Sequence, residues 1–434
     1  MAIISQLRIF GWEEIEELGD LERLRLVLEY MPDEKLMRQL EKERYKGRDD
    51  YPIRAMWNAI LAGIVFQHDS VEKLRRELGR NGQLRAMCGF KNKKAPPAWV
   101  YTRFLKKLLK HTEEIDEIFE KLVKQLQELI ADFGKHLAID SKAISSFAKQ
   151  KNTKQTPDGR RDTDADYGKK EYRGQNKDGS YWEKIVKWFG YKLHLVVEAT
   201  YELPVAYKVT KASVSDIKEG HAILEQMEET QPEILLKAET LAGDKGYDDT
   251  KLIKKCWDQY QIKPVIDIRD MWKDGEETHL LSGKTNVTYN YKGNVYCYCP
   301  KTNTRREMAN GGFEKDRNTL KKLCPAKQYG ITCQGQAVCP VAQGLRIPLA
   351  EDRRIFTPID RASYKWEREY NKRTSAERVN SRLDVSFGFE LHTIRGIDKM
   401  KLRCGLALCV MLAMAVGRIK EKQGEKMRSL VAAV

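Results

Sequence analysis

His136-Leu137-Ala138-Ile139-Asp140 is a short apolar run that ends in a carboxylate. A run of this length beside polar residues reads as a buried strand, with Asp140 at its end. The pattern returns about a hundred residues on. Lys237 to Ala242 leads into Gly243-Asp244-Lys245-Gly246-Tyr247, again an apolar stretch closed by an aspartate. Between them lie two more strand patterns, Trp188 to Val197 and Leu203 to Val209, joined by a tight turn. Asp216 then opens a helix carrying Ile223, Leu224 and Met227, a second helix starts near Asp249, and Pro264-Val265-Ile266 forms a short fifth strand. Residues 149–179, between the first and second strands, are polar, basic and glycine-containing, and read as an exposed loop.

Three meandering strands followed by alternating helix and strand is the order of a ribonuclease-H-like α/β fold, a mixed sheet with flanking helices. The chain around that core is helical at both ends. In residues 1–130, Tyr51-Pro52 opens a helix, since proline is tolerated in a first turn. Met56, Ile60, Leu61, Ile64 and Val65 follow at helical spacing. Ser70 begins another helix, and a further one runs from Trp99 to Leu109. Short helices with scattered Arg and Lys suit a DNA-reading bundle, and equally a structural or dimerising one. Residues 268–355 break the rhythm: they are polar, rich in Gly, Asn and Thr, and read as a partly β insertion. Helix returns by Asp360. Four segments are expected: helical 1–130, core 131–267, insertion 268–355, and a helical completion of the core at 356–434.

Composition narrows the class. The chain has 434 residues, room for two or three domains. Lys and Arg number 78 against 63 Asp and Glu, a net charge of +15. A surplus of that size points to a polyanionic partner, because each neutralised phosphate releases counterions. Met1 to Ser5 leads at once into the acidic stretch Glu13 to Glu17, which is not a signal peptide. The longest apolar run, Cys404 to Val416, is shorter than the about 20 residues a bilayer requires, and reads as a buried helix. The expected location is cytoplasmic and nucleoid-associated, with no membrane contact. Nine cysteines, an odd number, do not suggest a disulfide framework.

Asp140 and Asp244 carry the chemistry. Two strand ends can bring their carboxylates to one edge of a sheet, where they repel unless a cation neutralises them. Oxygen-only ligands favour magnesium or manganese. Two such ions, about 3.5–4 Å apart, stabilise the attacking and leaving oxygens of an in-line phosphoryl displacement. Either aspartate alone could equally be a turn or helix-cap residue. The third carboxylate is Glu377. On a continuous helix, Tyr370, Arg373, Glu377 and Asn380 share one face. Thr374-Ser375-Ala376-Glu377 also matches a capping box, and the pattern leaves both readings open.

With these residues in hand, the chain resembles a DDE transposase of a bacterial insertion sequence. Leu137 to Ser141, Gly190 to His194, Thr210 to Asp216, Ala242 to Tyr247, and the Tyr370, Arg373, Glu377 signature carry the likeness, which spans roughly residues 50 to 415. The resemblance implies that Asp140, Asp244 and Glu377 hold two Mg2+ or Mn2+ ions, with Tyr370 and Arg373 on the phosphate. It further implies cleavage at the element's ends, transfer of the freed 3′-hydroxyl into target DNA, and a homodimer assembled on double-stranded DNA. Lys192 and His194 face DNA or, as an equal alternative, solvent. One departure stands out: where the signature often carries a lysine seven residues after the glutamate, this chain has Asp384, and Arg378 or Arg382 are the cations near enough in sequence to compensate. A catalytically impaired DNA-binding relative and a nuclease of the same fold are the competing readings.

Cys297, Cys299, Cys324, Cys333 and Cys339 crowd the insertion, three of them followed by proline. A structural zinc site needs four thiolates, and the single residue between Cys297 and Cys299 is shorter than the usual spacing. Zinc and plain reduced thiols both remain readings of this cluster.

Overall fold

The computed structural model describes residues 19–44, 50–90, 94–148, 161–176, 178 and 180–428. Met1 to Ser5, Glu13 to Glu17 and residues 149–160 lie outside them. Seven helices come first: α1 Asp20–Tyr30, α2 Glu34–Arg44, α3 Ile53–Val65, α4 Val71–Arg80, α5 Gly82–Cys88, α6 Ala98–Leu108 and α7 Thr112–Leu129. Strands β1 His136–Ser145, β2 Asp166–Gln175, β3 Tyr181–Glu198 and β4 Leu203–Lys211 follow. Then come α8 Asp216–Thr230, α9 Pro232–Lys237, β5 Thr240–Gly243, α10 Thr250–Lys254 and β6 Lys263–Ile266. The insertion holds β7 His279–Leu280, β8 Val287–Tyr289, β9 Val295–Tyr298, β10 Arg305–Glu307, β11 Ala309–Glu314, β12 Thr319–Leu323, α11 Pro325–Tyr329 and β13 Leu345–Pro348. The chain closes with α12 Tyr364–Asn371, α13 Thr374–Phe387 and α14 Ile397–Lys420.

These elements form two compact units. The first comprises Met1–Phe133, Ser141–Ser215 and Ala376–Val434; the second comprises Gly134–Asp140 and Asp216–Ser375. In the first, α14 is the central helix, packed on α1, α7 and β4. Its apolar window is long enough to cross a membrane by length and composition, yet 89% of it is buried in the protein. Arg418 near its end is buried and donates two hydrogen bonds to Glu22, at 2.7 and 2.9 Å. The expected helix starts are present: Pro52 caps α3, and the Ser70 side chain accepts from Lys73 N at the head of α4. Tyr191 to Glu198 of β3 pair antiparallel with β4.

Residues 166–179 were expected in an exposed loop, but Asp166–Gln175 is strand β2, paired antiparallel with Tyr181–Gly190 of β3. Tyr181 to Lys187 are all exposed, so this ribbon has no apolar face for a sequence pattern to register. Gly190, where the ribbon meets the sheet, has φ +159°, and a Cβ there would lie 2.0 Å from Ile144 O. That close approach of backbone excludes any side chain.

The second unit is built on β1, β5 and β6, which run parallel, with β5 in the middle. Leu137, Ala138, Ile139, Leu241, Ala242, Val265 and Ile266 are all 1% exposed or less, which is why continuous apolar runs mark these strands. The insertion adds a four-stranded sheet, β10-β9-β8-β7, and a three-stranded one, β11-β12-β13. They close over a small core that includes Val287, Val295, Leu320, Val341, Ile347 and Phe356.

Candidate active site

The register of the parallel strands places the carboxylates. Ile139 pairs with Gly243, and Gly243 pairs with Ile266. One residue further along stand Asp140, midway along β1, and Asp244 and Asp267, just past the ends of β5 and β6, a row across three neighbouring strands about 4.8 Å apart. Asp140 does not end its strand, as the apolar run suggested, because β1 continues to Ser145. All three are half-buried. Asp267 N donates to Gly243 O at 3.2 Å, which extends the ladder to this row. Asp267 was not anticipated, because Pro264-Val265-Ile266 is too short a run to mark its own end as a site.

Asp244 also does what an ordinary strand-end aspartate does. Its Oδ1 accepts from Gly246 N at 2.8 Å and caps the single 3-10 turn Lys245–Tyr247. A Cβ on Gly246 would lie 2.8 Å from Asp244 Oδ1 and 3.2 Å from Asp216 Oδ2. Gly246 therefore lets two carboxylates approach from α8 and from the end of β5. The sequence shows Asp216 only as the start of a helix. Cations surround this edge. Lys245 Nζ lies 3.5 Å from Asp267 Oδ2. Arg361 donates to Ile266 O at 2.6 Å and to Arg354 O at 2.9 Å, and burial pushes its guanidinium down to about 10.

Tyr370 and Arg373 join the same edge. Helix α12, started by the Ser363 hydroxyl accepting from Trp366 N at 3.1 Å, packs on β5 and β6. The Tyr370 ring stacks on Trp366 at 4.8 Å, and the Arg373 guanidinium lies 5.6 Å from the Tyr370 ring centre. The phenol is pushed up by burial first, then by the charge of Asp267; Asp244 adds to the shift and Arg373 opposes it. The phenol thus feels both carboxylates of the strand ends.

The continuous helix expected through Glu377 is broken. α12 ends at Asn371, and Arg373 N donates to Tyr370 O and Ser375 N to Lys372 O, at 2.9 and 3.0 Å, in a tight turn before α13. Tyr370 and Glu377 therefore lie on different helices. Glu377 is exposed in the first turn of α13. Thr374, the expected capping residue, is the first residue of α13, and its hydroxyl donates back to Asn371 O at 2.8 Å.

Two expected DNA contacts are corrected. Lys192 and His194 are 7% and 0% exposed. Lys192 Nζ donates to Val214 O at 2.9 Å, and His194 Nε2 lies 3.0 Å from Thr210 Oγ1. Alternation suggested an outward face, but β3 from Tyr191 to Val197 is buried on both faces. The cations expected to compensate for Asp384 are engaged elsewhere: Arg378 Nε and Arg382 Nη2 bond the Glu202 carboxylate at 2.5 and 2.8 Å. Lys142 of β1 pairs with Asp384 instead. Burial pushes the Asp384 carboxyl up, and Lys142 opposes the shift.

The five cysteines of the insertion line one small cavity, and all are free thiols. Cys297 is pushed up to about 11, first by burial and then by Cys324, Cys339 and Cys333. Cys299 is drawn down to about 6 by hydrogen bonds from Thr302, Lys301 and Gly335. Among the described residues, no three His, Cys, Asp or Glu side chains are already drawn together in metal-holding geometry. The row across β1, β5 and β6 presents aligned carboxylates, and the cavity of the insertion presents neighbouring thiols.

Comparison with known families fits this arrangement. Residues 132–413 match the family described as Transposase DDE domain, and residues 13–107 match Transposase domain (DUF772). A search of curated proteins finds no match. Among solved structures, a cryo-EM piggyBac transposase synaptic complex with hairpin DNA is similar over 97% of this chain and 80% of that one. Its identity is 11% and its TM-score 0.38, too loose to bear on individual residues. The match at 132–413 takes in Asp140, Asp244, the insertion and the Tyr370 segment, and on it the chain belongs to the DDE transposase family.

Proposed function

We propose that Asp140, Asp244 and Glu377 are the catalytic carboxylates of this transposase, and that they hold two divalent magnesium or manganese ions. The observation that carries the reading is the register of β1 on β5, which aligns Asp140 with Asp244 on neighbouring strands. Carboxylates so aligned, with only oxygen ligands to offer, suit hard divalent cations. The ions, when bound, supply a Lewis acid at the scissile phosphate and neutralise the carboxylates that hold them. Glu377 enters from the family signature and from its exposed position at the head of α13. Asp216, beside Asp244 across Gly246, is a positioning carboxylate for the same edge.

The chain's own residues set up the substrate. Tyr370 and Arg373 lie at the carboxylate edge and contact the phosphate, the guanidinium offering a planar fork of donors. In place of Lys192 and His194, the cations that suit the DNA backbone are Lys184 and Lys187. They are exposed on the outer half of β3, beside the exposed Trp182. The reaction is cleavage of a phosphodiester at the element's end, leaving a 3′-hydroxyl, followed by attack of that hydroxyl on target DNA. The helices of residues 1–130 bind the ends, and the protein works as a homodimer on DNA.

The test is a cleavage assay with labelled element-end DNA and magnesium, using wild type beside D140A, D244A and E377A. Cleavage should fall by about 10³-fold or more in each variant, with DNA binding retained. Cleavage that survives E377A returns that glutamate to a structural role. Binding without cleavage by wild type in either metal overturns the catalytic reading.

A further inference from the structure

The insertion contains a segment that apolar burial does not hold in place. Between Ala326 and Val341, Gly335 is the one buried residue. Tyr329, Ile331 and Val338 along it are 63%, 43% and 65% exposed. Fixing so many backbone residues costs conformational entropy that a hydrophobic core normally offsets. Here the two half-buried positions are Cys333 and Cys339, and both turn toward the same cavity as Cys297 and Cys324.

The four thiols arrive from separate places in the chain. Cys297 is on β9, and Cys324 caps α11 with Pro325 in its first turn. Cys333 lies in the loop beyond α11, and Cys339 closes the single turn Gln336–Val338. The cavity they line is about 20 Å³, the room of one water or one ion and far below that of an organic ligand. Asn286 Nδ2 lies 3.6 Å from Cys339 Sγ, a donor to sulfur of the kind that orients a thiolate ligand. Cys297 and Cys339 also pack against the insertion's core, so the cavity adjoins the hydrophobic cluster. The fifth cysteine differs. Cys324, Cys339 and Cys333 are the thiols that act on Cys297, and Cys299 is not among them.

We propose that Cys297, Cys324, Cys333 and Cys339 bind one structural zinc ion, which ties the segment between α11 and β13 to the insertion's first sheet. Four soft thiolates select zinc over the hard cations suited to the carboxylate edge, and four sulfurs complete its tetrahedral shell without an open position. The sulfurs close by side-chain rotation as the ion is bound, and each loses its proton on doing so.

The test uses the full chain, purified in reductant without chelator, and reads metal rather than transposition. Elemental analysis should find about one zinc per chain. Replacement by cobalt(II) should give sulfur-to-cobalt charge-transfer absorption and the intense visible bands of a tetrahedral site. C324S and C333S should each lose the zinc, and C299S should keep it. Metal-free protein with nine titratable thiols, iron in place of zinc, or zinc retained in the C324S/C333S double variant would overturn the proposal. So would loss of zinc in C299S with retention in C297S. Cobalt spectra of the wild-type chain decide the matter even where a serine variant folds poorly. Because no DNA is involved, failure here leaves the carboxylate reading standing, and failure of cleavage leaves this one standing.

Discussion

Strands β1, β5 and β6 bury Leu137, Ile139, Leu241, Val265 and Ile266 almost completely, whereas residues 327–340 of the insertion bury little besides Gly335. The two regions belong to one compact unit and stay ordered by different physics. In the strands, hydrophobic burial fixes register, and register fixes where the carboxylates stand. In the insertion, a modest core is supplemented by polar ties: Trp257 Nε1 to Asn318 Oδ1 at 2.9 Å, the buried Lys322–Asp360 pair, and Arg353 to Asp258. A chemical edge can thus rest on apolar packing that tolerates little change. An appended lobe can be held by a few specific bonds, each of which matters more.

The largest effect on stability should come from the polar tie nearest the carboxylate edge. Arg354 is buried and donates to Asp248 Oδ2 at 3.0 Å and to Arg269 O at 2.9 Å, joining the end of the insertion to its beginning and to the turn after Asp244. R354M takes the buried guanidinium from the Asp248 carboxylate, which keeps the Arg269 backbone N–H at 2.8 Å and the more exposed Arg269 side chain at 3.7 Å, and should cost about 3 kcal/mol in chemical unfolding. Adding D248N should recover much of that. A cost under about 1 kcal/mol would mean that the core alone holds the insertion, which breaks the contrast.

Next come paired cavity mutations. Ile266 of β6 and Ile347 of β13 are both fully buried, so truncation to alanine should cost about 2–5 kcal/mol at either site. Their reach should differ. I266A should loosen amide protection along β1, β5 and β6 and lower cleavage, since Asp267 follows it directly. I347A should expose the amides of β11, β12 and β13 to exchange while β5 stays protected. Equal loss of protection in both regions under I347A would make them one cooperative block.

The contrast also accounts for what the sequence disclosed. Asp140 and Asp244 were legible because each closes an apolar run, and the helices through Leu129 because caps and periodicity mark them. Asp267 and Asp216 were not, since each sits where a strand end or helix start needs no special explanation. Lys192 and His194 misled because alternation in β3 suggested a solvated face on a strand buried on both sides. The β2–β3 ribbon escaped notice for the opposite reason, having no buried face at its outer end. The turn at Lys372 and Arg373, which separates Tyr370 from Glu377, contains no proline or glycine to announce it. The Cys-Pro repeats signalled turns, but only folding shows that the five cysteines of the insertion share a cavity.

Asp384 offers the finest test, because it departs from the family signature and yet has a partner 242 positions away. Lys142 follows Asp140 by two residues on β1, so the pair anchors the strand that carries the first carboxylate. If Asp384 marked decay, removing it would change little. If it replaces a cation that Lys142 now supplies from β1, the two side chains are coupled. K142M should then cost about 1–3 kcal/mol, because it leaves the partly buried Asp384 without its donor. K142M/D384M should cost clearly less than the sum of the single changes. D384K, which restores the signature's lysine, should destabilise by setting two ammonium groups together, and should do so less once Lys142 is methionine. Measured as a double-mutant cycle by chemical unfolding, a coupling near zero would separate the pair and return Asp384 to being an unexplained departure.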